Sequence, residues 1–364
     1  MLKEHLTNSQ ISFIIFGVIV GYGIMPLTKD IVEKSGTGGW FALLIAIVIA
    51  IIFTYIFTYL GYVHENKTID EYSEVLTGKF ITYIFISIYI IYYFFAFTIT
   101  TRIVSEAVKL SILIKTPIWT LNLLIFLISY YAVIKGLKSI ARLCEIYGVV
   151  IIIGLLVTIV SLFTQGKLIN LQPFFVVEDI KTYFKAIPVT IGPLMGMELI
   201  GIIPLHRKIN NKKIFKYTVF MVAFIGILYI LEVEACVTIM GHSVIHYKAA
   251  LLAAVRRTEI KAFEFLSRLD GIVIAFWLMS VFCTITLWAY GTVFFIHKYC
   301  RKMKFNRVAF IVIALSFIVS MIPKTINQAE EVYKYIGYMG FVAAGVIPII
   351  LLIITKIKKY DIKS

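Results

Sequence analysis

The chain has 364 residues, of which 60% are hydrophobic and 15% are charged, and its mean hydropathy is +0.94. So few charged groups cannot cover the surface of a water-soluble globule of this size, and the composition therefore predicts a polytopic membrane protein. The formal charge of +15 does not indicate nucleic-acid binding, because the basic residues are concentrated between apolar segments.

Ten apolar segments follow one another along the chain, each of about 20 residues or more and therefore long enough to cross roughly 30 Å of hydrocarbon. We expect them to form one transmembrane domain over 1–364, with one repeat at about 9–164 and a second at about 184–356. The segments lie at approximately 9–33, 39–62, 80–108, 117–135, 140–164, 184–206, 214–240, 270–297, 306–323 and 335–356.

The basic residues predict which loops face the cytoplasm. Four regions hold 17 basic residues against only Glu145 and Asp361, and the positive-inside rule then places both termini in the cytoplasm. The loop at 63–79 departs from this pattern, because it carries four acidic residues against two lysines. Acidic residues weigh little in the rule, so the assignment stands. The four basic regions are 135–142, 207–216, 298–307 and 356–363.

The middle of the first segment reads F-G-V-I-V-G-Y-G-I-M-P-L and carries Gly17, Gly21, Gly23 and Pro26. Inside a helix, glycine costs about 1 kcal/mol and proline about 3 kcal/mol relative to alanine, so this stretch predicts a broken helix. Broken backbone at membrane depth persists only where it faces protein or a water-filled cavity. Its free amide and carbonyl groups are suited to hold the charged ends of a small polar ligand.

The sixth segment repeats this pattern while crossing in the opposite direction. It reads I-P-V-T-I-G-P-L-M-G-M-E-L-I-G, so that Pro188, Gly192, Pro193 and Gly196 lie near its centre. Two broken helices, each opening a block of five, are typical of inverted-repeat transporters. We therefore predict an all-α integral membrane protein with ten transmembrane helices in a 5+5 inverted repeat, in which helices 1 and 6 are broken.

With both motifs in view, the chain resembles the amino acid-polyamine-organocation superfamily, which has the leucine-transporter fold. The matching motifs are G-x-x-x-G-x-G-I at 17–24 and Gly-Met-Glu at 196–198, where Met197 replaces the usual aromatic residue. Within that superfamily it most resembles the endospore germination permeases, the B subunits of nutrient germinant receptors. The narrower resemblance rests on N-S-Q at 8–10, G-W at 39–40 and L-Q-P-F at 171–174.

This resemblance implies a sensor in the inner membrane of a dormant spore, acting with an A-type membrane subunit and a C-type lipoprotein subunit. We expect it to bind a small nutrient, an amino acid, and to signal germination. Two alternatives remain open: a proton-coupled amino acid transporter and a component of a ligand-gated ion channel. No nucleotide-binding, metal-binding or catalytic motif is evident, so we expect neither an enzyme nor a cofactor.

The predicted ligand site combines the two breaks. A ligand carboxylate would accept hydrogen bonds from amides around 21–23, while its ammonium would face carbonyls near Ile191 and Gly192. The alternative is that these glycines only allow helices to pack closely. The predicted ligand-binding residues are Gly21, Tyr22, Gly23, Ile191, Gly192, Met195 and Gly196.

Other polar residues inside the apolar segments are candidates for supporting roles. Glu198 follows the second break, where a carboxylate could sense protons, couple ligand to helix movement or form a structural hydrogen bond to the unwound backbone of helix one. Arg102 and Glu106 are four residues apart and are expected to pair at the vestibule. Ser280 and Thr284 share a helix face and are candidates for a sodium site, although such hydroxyls most often bond to their own backbone.

Helix seven carries two acidic residues, Glu232 and Glu234, which lie two residues apart and therefore on different faces. We expect at most one of them to be deeply buried. Their position near the outer end of the segment predicts a water-exposed mouth.

Overall fold

The computed structural model describes residues 5–21, 23–258, 269–300 and 302–360, and within these ranges all regular secondary structure is helical. We number the α-helices in chain order. They are α1 (Asn8–Ile19), α2 (Leu27–Ser35), α3 (Gly39–Val63), α4 (Ile69–Thr77), α5 (Lys79–Ser111), α6 (Ile118–Ile134), α7 (Leu137–Gln165), α8 (Ile180–Ile191), α9 (Lys213–Met240), α10 (Ala250–Arg256), α11 (Leu269–Tyr299), α12 (Phe305–Ser320), α13 (Ile326–Phe341) and α14 (Ile347–Ile357).

These helices account for the ten predicted membrane crossings. Seven helical stretches in the described part of the chain are long and apolar enough to cross a bilayer, and α1, α6 and α12 are shorter apolar helices. The tenth crossing combines α13 and α14 with an intervening π-helix, Val342–Val346, which the sequence analysis did not anticipate. The prediction of an all-helical membrane protein with broken first and sixth helices is confirmed.

The first crossing is interrupted where the glycines and the proline predicted it. Helix α1 starts with a reciprocal cap, in which the Thr7 hydroxyl accepts from the Gln10 amide and the Gln10 side chain accepts from the Thr7 amide. It ends at Ile19, and α2 begins only after Pro26. The intervening residues connect two half-helices inside the apolar core.

The sixth crossing is interrupted between α8 and a short 3-10 helix, Met197–Ile202. Gly196 has a φ of +139°, a backbone conformation that residues with a side chain rarely adopt, and it marks the point where the chain changes direction. The second half of this crossing is therefore shorter and more tightly wound than the α-helical continuation to residue 206 that the sequence suggested.

One side of the molecule, which we call the amino-terminal side, carries the start of α1 and the acidic loop at 63–79. Three of the loop's four acidic residues, Glu65, Asp70 and Glu71, are paired with basic residues of that side. The Asp70 carboxylate lies 2.5 Å from the Lys298 ammonium, and the Glu65 carboxylate accepts from the Arg207 amide at 2.9 Å. The acidic loop thus lies among the basic loops, which explains its departure from the charge pattern.

A buried histidine ties the same loop to the end of the chain. The His64 ring stacks on the Tyr72 ring with centroids 5.1 Å apart, and its Nε2 lies 3.1 Å from the Thr355 hydroxyl. Burial, together with the charge of Lys67, lowers the pKa of His64 from 6.5 to about 4. Three separate parts of the chain therefore meet on the amino-terminal side.

The pair between Asp70 and Lys298 should contribute measurably to stability. Asp70→Asn leaves the half-buried ammonium without its nearest anion, and we expect the free energy of unfolding in detergent to fall by about 1–3 kcal/mol. Glu74→Gln, on the exposed face of the same helix, is the matched control and should change it by less than about 0.5 kcal/mol. Equal stability of the two variants would contradict this role for the pair.

The low pKa of His64 predicts a pH dependence of stability. The folded protein favours the neutral ring, whereas the unfolded chain takes up a proton near pH 6.5, so stability is fully present above about pH 6.5 and declines as pH falls towards 4. Melting temperatures between about pH 4 and pH 7 should therefore decrease more steeply for the wild type than for His64→Gln. Parallel curves for the two proteins would show that His64 does not titrate in this range.

Candidate ligand-binding site

The carbonyl groups at the end of α1 are satisfied by side chains from other helices. The Thr284 hydroxyl of α11 donates to the Gly17 carbonyl at 2.7 Å and lies 3.2 Å from the Val18 carbonyl. The Tyr229 hydroxyl of α9 donates to the Ile19 carbonyl at 2.8 Å. These contacts replace the helical hydrogen bonds that the break removes.

Three amide groups at the same break have no partner among the described residues. Those of Gly21, Gly23 and Ile24 donate no hydrogen bond to any other residue that the structure describes. Buried backbone amides almost always have a partner, so three unpaired amides close together favour an anionic group at this position. A ligand carboxylate meets that requirement.

The two breaks lie directly against each other. A Cβ atom on Gly23 would lie 2.7 Å from the Pro193 Cβ, and one on Gly196 would lie 2.3 Å from a Val18 methyl group. The structure therefore brings the predicted residues of the first and sixth crossings together. Tyr22, which was predicted to contribute to the site, lies outside the described residues.

Gly21 and Gly192 face different surroundings. A Cβ atom on Gly21 would lie 1.8 Å from the Thr284 hydroxyl oxygen, so Gly21 packs on α11. Gly192 is exposed and would meet nothing within 4 Å, although its carbonyl already accepts from the Met195 amide at 3.1 Å. The predicted contact between this carbonyl and an ammonium group therefore competes with an existing hydrogen bond.

Ile191 and Met195 line a cavity of about 60 Å³ on the side of the break facing α3. The cavity is bounded by Ile49, Ala50 and Phe53 of α3 and by the π-helix of the tenth crossing, and all its lining residues are apolar or glycine. Because it contains no polar side chain, this space does not supply a partner for an ammonium group.

Glu198 caps the second break. Its carboxylate is wholly buried and accepts from the Gly196 amide at 3.0 Å and from the Tyr92 hydroxyl at 3.3 Å. It thus bonds to the unwound backbone of its own crossing and to α5, whereas the structural alternative expected the backbone of helix one. Its predicted role in coupling or proton sensing stays a prediction.

Helix α9 contacts both sides of the first break, which the sequence analysis missed. Tyr229 holds the end of α1, and three residues later the Glu232 carboxylate accepts from the Thr28 hydroxyl of α2 at 3.0 Å. The Cys236 thiol donates to the same Glu232 oxygen at 3.3 Å, while the other oxygen has no hydrogen-bond partner in the described chain. Tyr229 and Glu232, three residues apart on a mostly apolar helix, were the sequence signal from which this contact could have been predicted.

The expectation that Glu232 and Glu234 lie at a water-exposed mouth was wrong. Glu232 is 0% exposed and Glu234 is 7% exposed. Hydropathy predicts where a residue lies along the membrane normal, but it does not show which helices pack around it. Helix α9 packs against α1, α3 and α7, and both carboxylate side chains are buried.

The candidate sodium site is occupied by protein contacts. The carbonyls of Gly17 and Val18 already face the Thr284 hydroxyl, and the buried Ser280 hydroxyl has no partner among the described residues. The described ranges also contain no group of three or more His, Cys, Asp or Glu residues that would hold a metal. Sodium binding at Ser280 and Thr284 therefore stays a prediction.

The opposite side of the molecule, which we call the vestibule side, is polar. Arg102 pairs with Glu106, as expected, and also donates to the Pro323 carbonyl at 3.3 Å, linking α5 to the turn before α13. A groove of about 470 Å³ runs beside the exposed face of α13. At its rim the Lys248 ammonium contacts the Glu330 carboxylate at 2.8 Å, so this side carries charges of both signs.

The fold and the paired breaks define a membrane protein of the leucine-transporter-like class. The chain superimposes with a TM-score of 0.67 on a solved Na⁺-coupled sialic acid symporter in a substrate-bound, outward-open state, covering 95% of this chain and 79% of that one. Their sequences are 16% identical. This likeness concerns the fold.

Within that class the chain belongs to the spore permease family, described as spore germination proteins, whose model matches residues 5–329. It is 24% identical to spore germination protein YndE of Bacillus subtilis, over 97% of both chains. It is also 26% identical to spore germination protein A2 of the same species, over 95% of this chain and 94% of that one. Spore germination protein B2 is 24% identical, over 98% and 97%.

The close contact between Gly21 and Thr284 predicts a steric effect. In Gly21→Ala the new methyl group collides with the Thr284 side chain and disturbs its hydrogen bond to α1, and we expect a loss of about 1–3 kcal/mol in unfolding free energy. Gly192→Ala is the matched control, because its methyl group enters open space. Thermal unfolding in detergent measures both, and a Gly21→Ala protein as stable as Gly192→Ala would be inconsistent with this packing.

Proposed function

We propose that this protein is a nutrient germinant receptor subunit that binds an amino acid at the two facing breaks and signals spore germination. The observation that carries the proposal is that the amides of Gly21, Gly23 and Ile24 have no hydrogen-bond partner among the described residues, directly after the bonded carbonyls at the end of α1. Amides at such a break are suited to hold a carboxylate. Membership of the spore germination family supports the biological context.

The signal would arise from a difference in ligand affinity between two arrangements of the first and sixth crossings. Because Gly23 packs on Pro193, a ligand held by the amides of the first break also touches the sixth. The receptor partners would be an A-type membrane subunit and a C-type lipoprotein subunit. The protein would reside in the spore inner membrane with both termini in the cytoplasm.

A proton-coupled amino acid transporter is the second candidate. The buried Glu198 carboxylate favours it, since this group lies beside the second break and links it to Tyr92 of α5. Uptake of labelled amino acids into proteoliposomes separates the two functions. A sensor binds without concentrating its ligand, whereas concentrative uptake by the isolated chain would favour the transporter.

The primary test is ligand binding by the purified full-length chain. We expect at least one amino acid to raise the melting temperature in detergent, while the matching amine without a carboxylate has no effect. Failure of every amino acid to stabilise the protein would count against the proposed site.

Gly192→Leu tests whether ligand occupies the open space beside the second break. A Cβ atom at Gly192 meets nothing within 4 Å, so we expect the fold to persist while the amino acid no longer raises the melting temperature. Gly271→Leu, at an equally open glycine at the start of α11, is the matched control and should keep the full effect. An undiminished effect in Gly192→Leu would place the ligand elsewhere.

A further inference from the structure

Two groups can be distinguished among the basic residues of the amino-terminal side. The first group makes polar contacts within the protein. Arg207 pairs with Glu65 and Lys298 pairs with Asp70. The Lys358 ammonium donates to carbonyls at the end of α4. These contacts hold loops together within the protein.

The second group consists of Lys135, Lys304 and Arg307, which we call the basic rim. All three are exposed and form no ion pair with another residue that the structure describes. Neither 135–142 nor 302–307 contains an acidic residue. The Lys135 ammonium has one partner, the face of the Tyr131 ring, at 5.2 Å from its centroid.

Two contacts between α6 and α12 show that the members of the basic rim lie at a similar height along the axes of these helices. Helices α6 and α12 are antiparallel, since Asn122 donates to the Ser320 hydroxyl at 3.1 Å near one end and the Tyr130 and Phe310 rings lie 6.3 Å apart near the other. At about 1.5 Å per residue, Lys135 lies roughly 7–8 Å beyond Tyr130, and Lys304 roughly 9 Å beyond Phe310. The charges therefore converge at one end of this helix pair.

The start of α12 adds donors to the basic rim. Lys304 is its N-cap residue, and no side chain caps the helix. The amides of Arg307 and Val308 donate to the Lys304 carbonyl, while those of Phe305 and Asn306 have no described partner. Two amides thus remain available beside cationic side chains, an arrangement that favours anions.

The surface below the basic rim is apolar and exposed. On α6 it includes Ile128 and Tyr131, which is 61% exposed, and on α12 it includes Phe310, which is 63% exposed, and Ile318. In a membrane protein such a surface faces acyl chains. Cations at the end of an apolar helix pair form the chemical complement of an anionic lipid.

We propose that the basic rim binds the headgroup phosphate of an anionic phospholipid whose acyl chains lie along α6 and α12. The inference is independent of the function proposed above. A free phosphate would gain only the contacts with the rim, whereas a lipid also covers the apolar surface below it.

The test compares melting temperatures of the purified full-length chain with added phosphatidylglycerol or phosphatidylcholine of the same acyl chains. Phosphatidylglycerol should raise the wild-type melting temperature by about 2–4 °C more than phosphatidylcholine. The triple variant Lys135→Gln, Lys304→Gln and Arg307→Gln should lose at least half of this difference. The control replaces Lys208, Lys212 and Lys213 by Gln, removing the same charge from exposed positions on the same side, and should keep it.

Three outcomes would overturn the proposal: no difference between the lipids for the wild type, an equal loss in the control, or the full effect with inorganic phosphate alone. The last would assign the rim to a free anion. If the triple variant fails to fold, Arg307→Gln against Lys212→Gln provides the same comparison. Native mass spectrometry of the wild type then measures retention of phosphatidylglycerol directly.

Discussion

Satisfying broken backbone inside a membrane is the constraint on which this structure depends. Hydrocarbon supplies no hydrogen-bond partner, so each carbonyl or amide released by a break costs several kcal/mol unless protein replaces the lost bond. Tyr229 and Thr284 do this at the first break, and Glu198 does it at the second. These side chains come from three different crossings, so the breaks are stable only within the assembled bundle.

The two breaks have similar sequences but different chemistry. At the first, side chains of other helices bond the carbonyls of Gly17, Val18 and Ile19, whereas the amides of Gly21, Gly23 and Ile24 have no partner among the described residues. At the second, the Gly196 amide is already capped by Glu198, and the nearby cavity is apolar. The two sides of the proposed site therefore differ: the first break presents amides without a described partner, and the second presents a capped amide beside an apolar cavity.

The sequence was sufficient to predict features that depend on local composition. The positions of both breaks follow from glycine and proline propensity, and the ten crossings follow from hydropathy. Contacts between distant residues were not accessible in this way. The Thr28–Glu232 bond joins residues 204 positions apart, and the Glu65–Arg207 contact depends on the chain returning after 142 residues. Placing Glu232 at an exposed mouth was wrong for that reason.

The contacts of α9 have a mechanical consequence. Tyr229 and Glu232 lie within one turn of α9. This helix therefore fixes the distance between the last carbonyl of α1 and the first turn of α2. If α2 tilts outward while Thr28 stays bonded, α9 must move with it, and the Tyr229 hydroxyl then pulls on the end of α1 as well. The two half-helices of the first crossing therefore cannot move independently unless one of these two hydrogen bonds to α9 breaks.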